Sequence, residues 1–315
     1  MTIPAGLLSD VDALLEPNAP LGPRTWFGVG GCCDLLARPR DIPAAATILA
    51  RCRQAGVPVR VLGSGANLLV ADEGVDGVVL LLDQPTFTEW HVEAQEHTAN
   101  VACGSGTDLA KLMHEMARLG WEGLETLAGI PATVGGAVWM NAGGRFGEIG
   151  RVVTSIEALD GTGRPLTMDH REIRFDYRHT RLPRCVLTRV HLRLRRGEPL
   201  MLRERLKEVM AYKKASQPLA ERSAGCMFRN PVLPGGERVS AGKLIDQAGL
   251  KGTREGSASV SPEHANFICV DRDGRAADVM RLVERIRQAV RRAHGVQLQA
   301  EVAVWRRGDP EGSLP

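Results

Sequence analysis

The chain has 315 residues, and at about 150 residues per domain this length predicts two domains with enough chain for a buried core. Hydrophobic residues make up 43% and charged residues 24% of the sequence, which excludes an intrinsically disordered protein. The net charge is only +3, from 40 Lys and Arg against 37 Asp and Glu, so we expect neither a nucleic acid nor a membrane as a partner.

The sequence contains no pattern typical of a membrane span, a secretion signal or a metal site. Residues 78–82 form the longest apolar run near the middle of the first half, far short of the ~20 residues of a membrane span. Residues 1–6 lack the basic and apolar segments of a signal peptide, so we expect a cytoplasmic protein. The 7 cysteines are odd in number and none forms a CxxC pair, which indicates neither a disulfide framework nor a metal site.

Glycine-rich loops follow the predicted strands of the first half. A β-branched strand over 57–62 leads into the loop 63–67 and then into a second strand. A strand over 101–103 leads through a glycine turn to a helix that starts near Leu109, with Thr107 as its N-cap.

The rest of the chain predicts strands and helices without a regular βαβ alternation. The small-residue stretch 127–137 leaves the main chain open to a flat or phosphorylated ligand. The predicted elements after it are strands over 152–159 and 185–194 and helices over 202–214, 240–247 and 277–293, the last with Met280, Val283, Ile286 and Val290 facing inward. This pattern indicates an α+β fold with a domain boundary near 195–215.

The two glycine loops do not fit the Rossmann fingerprint for NAD. That fingerprint needs GxGxxG between a strand and a helix, but 63–65 leads into a strand, and Leu109 stands where the third glycine of the 104–106 loop belongs. Taken alone, each loop is as consistent with a capping or hairpin turn as with a phosphate cradle. Together with 129–136, the loops favour a dinucleotide that is bound in another way than in a Rossmann fold.

Six motifs in a fixed order carry a resemblance to a known family. They are RTWFGVGG at 24–31, LGSGANLL at 62–69, the segment from GLE at 123–125 through LAGIPATVGGA at 127–137 to NAG at 141–143, YR at 177–178, AGCMFRNP at 224–231 and AGKLID at 241–246. On these motifs the chain resembles the UDP-N-acetylenolpyruvoylglucosamine reductases, also called UDP-N-acetylmuramate dehydrogenases, over nearly its whole length. Six ordered motifs are far more specific than a single glycine loop.

The resemblance implies an α+β fold of the FAD-binding type found in vanillyl-alcohol oxidase and para-cresol methylhydroxylase. It implies an FAD-binding domain over 1–198, made of two subdomains at about 1–82 and 83–198. A substrate-binding α+β domain over 199–297 follows, and the C-terminal strand 298–306 packs back on the first subdomain.

The resemblance also implies an enzyme of peptidoglycan precursor synthesis. It reduces UDP-N-acetylglucosamine enolpyruvate to UDP-N-acetylmuramate with NADPH, through bound FAD. The loop 63–67 has neither the His nor the Cys that attaches flavin covalently in some relatives of this fold, so we expect non-covalent FAD. The implied cofactor-binding residues are Gly63, Ser64, Gly65, Ala66, Asn67, Leu68, Gly129, Ile130, Pro131, Thr133, Gly135 and Gly136. We expect a monomer whose only partners are these small molecules.

Three catalytic residues are implied by the same motifs. Arg178 would stabilise the enolate, since a guanidinium is planar and always charged, and Glu301 would act with it. Cys226 stands where many members have a proton-donating Ser, and a thiol with an ordinary pKa near 8.5 is the stronger acid. Outside the motifs, Arg178 would be interpreted as part of a surface salt bridge, Glu301 as an outward strand residue and Cys226 as a small buried side chain.

The implied substrate-binding residues are Tyr177, Lys213, Arg229 and Asn230. Only 179–184 separates Arg178 from Cys185, which is typical of the subclass without a Tyr-bearing loop over the substrate. Two other functions remain open: an oxidase of the same fold that passes electrons to oxygen, and a flavin or UDP-sugar sensor without turnover. Reduction of the flavin by NADPH would distinguish the reductase from both, because the sensor need not show it and the oxidase should show it poorly.

Overall fold

A four-stranded sheet and one long helix form the N-terminal part of the computed structural model, which describes residues 3–309. The elements are β1 (Ala13–Pro17), β2 (Cys33–Pro39), α1 (Ile42–Gln54), β3 (Val59–Leu62), β4 (Leu68–Val70) and β5 (Val75–Leu81). The sheet order is β1-β2-β5-β3, and only β1 is antiparallel to its neighbour. Asp41 caps α1 by accepting a hydrogen bond from the amide of Ala44, and Ile48 and Leu49 pack in the core beneath the helix.

A larger antiparallel sheet forms the middle of the chain. The elements are α2 (Pro85–Thr88), β6 (Trp90–Ala94), β7 (Thr98–Gly104), α3 (Leu109–Leu119), β8 (Trp121–Glu122), α4 (Val134–Trp139), β9 (Gly143–Gly144), β10 (Gly147–Glu148), β11 (Val153–Asp160), β12 (Pro165–Asp169), β13 (Arg174–Asp176), β14 (His179–Arg181) and β15 (Cys185–Arg196). The order is β12-β11-β15-β7-β6, with β8 paired to the end of β15. One core holds Met116 of α3, Val138 of α4 and Val190 of β15, so both helices cover the same face of the sheet.

The C-terminal part combines helices with a small sheet. The elements are α5 (Pro199–Lys214), α6 (Ala241–Gln247), β16 (Arg254–Glu255), β17 (Ala258–Val260), β18 (Ile268–Val270), α7 (Ala276–His294) and β19 (Ala303–Trp305). The strands β16, β17 and β18 form an antiparallel sheet that packs against α7. After α7 the chain returns to the N-terminal part, where β19 pairs in parallel with β4 and Ala303 lies opposite Leu68.

The start of α3 differs from the prediction by one residue. Asp108, and not Thr107, is the N-cap, because its carboxylate accepts a hydrogen bond from the amide of Lys111. The hydroxyl of Thr107 instead donates to the carbonyl of Thr88, which ties α3 to the end of α2. The predicted N-cap at Thr107 was therefore wrong, although the helix itself is present.

The buried face of α7 is rotated slightly from the prediction. Ile286 and Val290 are buried as predicted, but the other buried apolar side chains on this face include Val279 and Leu282. Met280 and Val283 are half-buried at the edge of the face. The predicted and the observed residues are both spaced three and four apart, so each set lies on one face of the helix. The sequence alone therefore does not decide which set is buried.

The predicted division at 198/199 stays a prediction. The helix just after it, α5, buries Leu202, Leu206 and Val209 in the core of the middle sheet. The C-terminal core also includes Phe27 and Leu69 from the N-terminal part. The three parts therefore share packing across the predicted boundaries.

All seven cysteines are free in the structure. Across residues 3–309, no helix has the length and apolar character needed to cross a bilayer. No group of His, Cys, Asp or Glu side chains in the same range is arranged to hold a metal ion.

Candidate active site

An extended segment over 226–229 places Cys226 beside Glu301. The amide of Met227 donates to the carbonyl of Asn266 at 2.8 Å on one side. On the other side, the amide of Glu301 donates to the carbonyl of Met227, also at 2.8 Å. These backbone bonds join residues that are far apart in sequence and fix where their side chains start.

Arg178 lies in the two-residue turn between β13 and β14. Asp176 pairs with His179, so Tyr177 and Arg178 form the loop, and of these two only Arg178 has a positive φ, at 56°. Turns with a positive φ at the second loop residue favour Gly or Asn there. An Arg in this conformation costs about 1 to 2 kcal/mol. A strained backbone at this position is consistent with a functional side chain.

The Arg178 guanidinium contacts Glu301. Its Nε lies 2.9 Å from Oε1 of Glu301, and its Nη1 donates to the carbonyl of Gly143. The geometry at Nε does not make a hydrogen bond, so this buried donor has no hydrogen-bond acceptor among the described residues. The Nε of Arg229 is likewise buried without an acceptor there. Both guanidinium groups therefore place buried, positively charged N–H groups at this site.

Burial, modified by the neighbouring charges, shifts three pKa values at this site. Burial, with a smaller contribution from Glu301, raises the pKa of the Cys226 thiol to about 12, while Arg178 acts in the opposite direction. Burial also raises the pKa of Glu301, which Arg178 and Arg229 partly offset. Burial and then Arg178 lower the pKa of Lys213 to about 8. Cys226 is thus a protonated thiol at neutral pH.

The two predicted cofactor-binding segments lie against each other. The hydroxyl of Ser64 donates to the carbonyl of Pro131 at 3.1 Å, and a Cβ on Gly63 would lie 2.9 Å from Oγ1 of Thr133. The side-chain amide of Asn67 donates to the carbonyl of Glu301 at 3.2 Å. This last bond connects the predicted flavin loop to the segment just before β19, which carries Glu301.

The residues present fit the pyrophosphate of FAD. Among the described residues, the backbone amides of Ser64, Gly65, Ala66 and Asn67 donate no hydrogen bond to the protein. Consecutive free amides form a concave anion site. The hydroxyl of Ser105, which lies next to Gly135, is also buried without a partner in this part of the chain. Not every predicted donor is free, since the amide of Gly135 donates to the carbonyl of Ser105.

Gly65 is expected to be essential for this loop. Its φ is 66°, and a Cβ there would lie 2.1 Å from the carbonyl oxygen of Arg24. Gly65→Ala should therefore displace the loop and lower both the FAD content and the Tm of the purified protein. Flavin absorbance per protein and thermal unfolding measure the two effects.

Gly56→Ala is the matched control for that substitution. Gly56 has the same φ of 66°, but a Cβ there would meet nothing within 4 Å. It should show a modest loss of Tm with FAD fully retained. Equal FAD content in the Gly65 and Gly56 variants would contradict the role given to the 63–67 loop.

The structure brings most predicted site residues together. Arg178, Cys226 and Glu301 are mutual neighbours, Arg229 lies close to Glu301, and Lys213 lies close to Arg178. Asn230 is already partly engaged, because its Oδ1 accepts a hydrogen bond from the amide of Ala241 at 2.9 Å.

Two residues near the site were not predicted from the sequence. Ser105 lies in the 104–106 turn, which the sequence could not distinguish from a capping turn. Asn266 is buried, and its side chain accepts from the amide of Phe228 and donates to the carbonyl of the same residue. It also lowers the pKa of the neighbouring Cys226 thiol slightly, against the larger effect of burial. No local motif marked it.

The fold and the glycine cradle define the chain as an FAD-binding protein. Residues 33–169 match the family model described as "FAD binding domain". Residues 217–305 match the model for the C-terminal domain of UDP-N-acetylenolpyruvoylglucosamine reductase.

Curated relatives and a solved structure agree with both matches. The UDP-N-acetylenolpyruvoylglucosamine reductase of Moorella thermoacetica is 42% identical over 92% of this chain and 93% of its own length. That of Heliobacterium modesticaldum is 41% identical over 94% of this chain and 91% of its own length. The crystal structure of the reductase from Thermus caldophilus is 38% identical, with a TM-score of 0.78 over 93% of this chain and all of that one.

The chain therefore belongs to the UDP-N-acetylenolpyruvoylglucosamine reductase family. The predicted family, the α+β FAD-binding fold, the oxidoreductase class and the FAD cofactor are confirmed.

Proposed function

We propose that this enzyme reduces UDP-N-acetylglucosamine enolpyruvate to UDP-N-acetylmuramate with NADPH. The observation that carries the proposal is the contact of Arg178 with Glu301 beside the Cys226 thiol, joined to the predicted flavin loop through Asn67. FAD, held by the 63–67 and 129–136 loops, would supply the redox chemistry that transfers hydride from NADPH to the vinyl group of the substrate.

Arg178 stabilises the negative charge that develops on the substrate. Hydride addition to the terminal vinyl carbon leaves negative charge on the neighbouring carbon, and this charge is delocalised as an enolate onto the oxygens of the attached carboxylate. A guanidinium has five N–H donors, and the contacts of Arg178 with Glu301 and with the carbonyl of Gly143 leave others for this charge. Glu301 holds the guanidinium in place and balances its charge.

Cys226 donates the proton that completes the reduction. Its raised pKa keeps the thiol protonated before the enolate forms, and the low population of thiolate makes it a poor target for oxidation. After transfer, the nearby Arg178 stabilises the thiolate.

The remaining predicted residues bind the nucleotide sugar. Lys213 and Arg229 supply positive charge near Arg178 and Glu301, Tyr177 an aromatic surface, and Asn230 the amide donors that its bond to Ala241 leaves free. The short connection after Arg178 supports the subclass without a Tyr-bearing loop. We propose the FAD-binding and substrate-binding domains as predicted, and action in the cytoplasm as a monomer.

A turnover assay tests this function. Purified holoenzyme with NADPH and the enolpyruvyl UDP-sugar, kept anaerobic, should oxidise more than one equivalent of NADPH per bound flavin only when the sugar is present. The product should be heavier than the substrate by two hydrogen atoms in a mass spectrum. NADPH oxidation that requires oxygen and leaves the sugar unchanged would instead support an oxidase.

The pH dependence should report Lys213. Its pKa of about 8 means that the side chain loses its positive charge as pH rises from 7 to 9. Because the substrate is anionic, kcat/KM should fall above pH 8, toward tenfold per pH unit if the charge is essential. Cys226, at about 12, titrates well above this range.

Lys213→Arg keeps the charge and should move the decline to higher pH, since the pKa of Arg exceeds 12. The profile of kcat/KM from pH 6 to 10 for both enzymes is the measurement. The same decline in both would show that another group is responsible.

A further inference from the structure

A short hairpin over 231–239 stands next to the proposed active site. Val232 pairs with Arg238, and the amide of Leu233 donates to the carbonyl of Glu237 at 2.8 Å. At its base, the bond from the Ala241 amide to Asn230 ties the two ends of the hairpin together. Arg238 is thus carried on a structured loop whose position is set by a proposed substrate-binding residue.

Arg238 stacks on Tyr177. Its guanidinium carbon lies 3.9 Å from the centre of the Tyr177 ring, at the distance of direct cation–π contact. The guanidinium carbon of Arg178 lies 5.6 Å from the same ring centre. Within residues 3–309, Arg238 has no carboxylate within ion-pair distance. Two arginines therefore lie near the same aromatic ring, and among the described residues Arg238 has no acidic partner.

This concentration of positive charge matches an anion with several charges. Arg178, Arg238 and Lys213 are clustered, and the nearby carboxylate, Glu301, contacts Arg178. The substrate carries its carboxylate at the reacting end, which Arg178 serves beside Cys226. Arg238 is exposed and lies on Tyr177, whose ring is also near Arg178, so it can reach a second anionic group of the same substrate.

We propose that Arg238, held by Tyr177, binds the diphosphate of the nucleotide sugar. This inference rests on the proposed function and adds a specific residue to it. A guanidinium offers paired donors to phosphate oxygens, and stacking on the ring fixes its plane before the ligand arrives. The hairpin then acts as a phosphate clamp at the mouth of the site.

Titrations of the holoenzyme with UDP and with uridine test the proposal, with flavin absorbance or calorimetry as the signal. Arg238→Gln should weaken UDP binding about tenfold or more, the usual effect of losing a charge-assisted hydrogen bond, and leave uridine binding unchanged. Tyr177→Ala should weaken UDP binding in the same direction, whereas Tyr177→Phe, which keeps the ring, should not. Arg171→Gln removes an exposed arginine outside the site and should have no effect.

Unchanged UDP affinity in Arg238→Gln would overturn the proposal, as would an equal loss for uridine, which indicates a general displacement of the hairpin. The diphosphate of NADPH has the same chemistry, so KM for NADPH in flavin reduction is measured in parallel. A loss confined to NADPH would also overturn the assignment to the sugar nucleotide. The turnover assay of the unmodified enzyme tests the proposed function separately, and UDP titration does not depend on its outcome.

Discussion

Replacing Cys226 with Ala is expected to slow the oxidation of reduced flavin by the enolpyruvyl substrate by about 10² to 10⁴-fold, the usual contribution of a general acid. The reason is that the thiol lies beside Arg178 and Glu301 and stays protonated at neutral pH. Flavin reduction by NADPH should be unchanged, because that half-reaction needs no proton from Cys226. Stopped-flow absorbance at the flavin band measures each half-reaction separately.

Two variants control this result. Cys226→Ser keeps a proton donor of similar size and should stay within about tenfold of the unmodified enzyme. Cys32→Ala removes another half-buried cysteine, outside the site, and should change neither half-reaction. If Cys226→Ala oxidises its flavin as fast as the unmodified enzyme, Cys226 is not the donor.

Substitution of Arg178 should produce a loss of comparable size. Arg178→Gly removes the group that we propose stabilises the enolate, so kcat should fall by about 10² to 10³-fold, as for the loss of an oxyanion donor. Glycine also accepts the φ of 56° without strain, so the folded protein should retain its stability and its FAD. Steady-state kinetics, Tm and flavin content together measure activity and fold.

Arg178→Lys distinguishes charge from geometry. It keeps the positive charge but lacks the planar set of donors that contacts both Glu301 and the carbonyl of Gly143. Activity should be recovered only in small part. An Arg178→Gly enzyme that turns over normally, or one that loses FAD and unfolds, would contradict a catalytic role separate from the fold.

The binding role of the glycine-rich loops could be predicted in part from the sequence. Glycine chemistry alone predicted that 63–67 and 129–136 serve a dinucleotide, and the structure places Ser64 against Pro131. The free amides of the first loop depend on backbone conformation, which no residue pattern specifies. In the second loop, Gly135 uses its amide within the protein, which the composition of the stretch did not indicate.

The proposed catalytic cluster depends on contacts between distant segments, which local sequence patterns do not contain. Cys226 and Glu301 meet only through backbone bonds between distant segments, so Glu301 could be selected by family resemblance and by nothing in its own neighbourhood. Arg178 has a positive φ in its turn, and local backbone preferences would predict Gly or Asn at this position and not Arg. Arg238 was missed because its stacking partner, Tyr177, lies on another hairpin.

The most direct test of the account is an anaerobic single turnover. The holoenzyme is reduced with one equivalent of NADPH, and UDP-N-acetylglucosamine enolpyruvate is then added while the flavin absorbance is followed. We expect the absorbance of oxidised flavin to return rapidly without oxygen, at the rate at which UDP-N-acetylmuramate appears. A flavin that stays reduced until oxygen is admitted would contradict the proposed reaction and with it the roles of Arg178, Cys226 and Glu301.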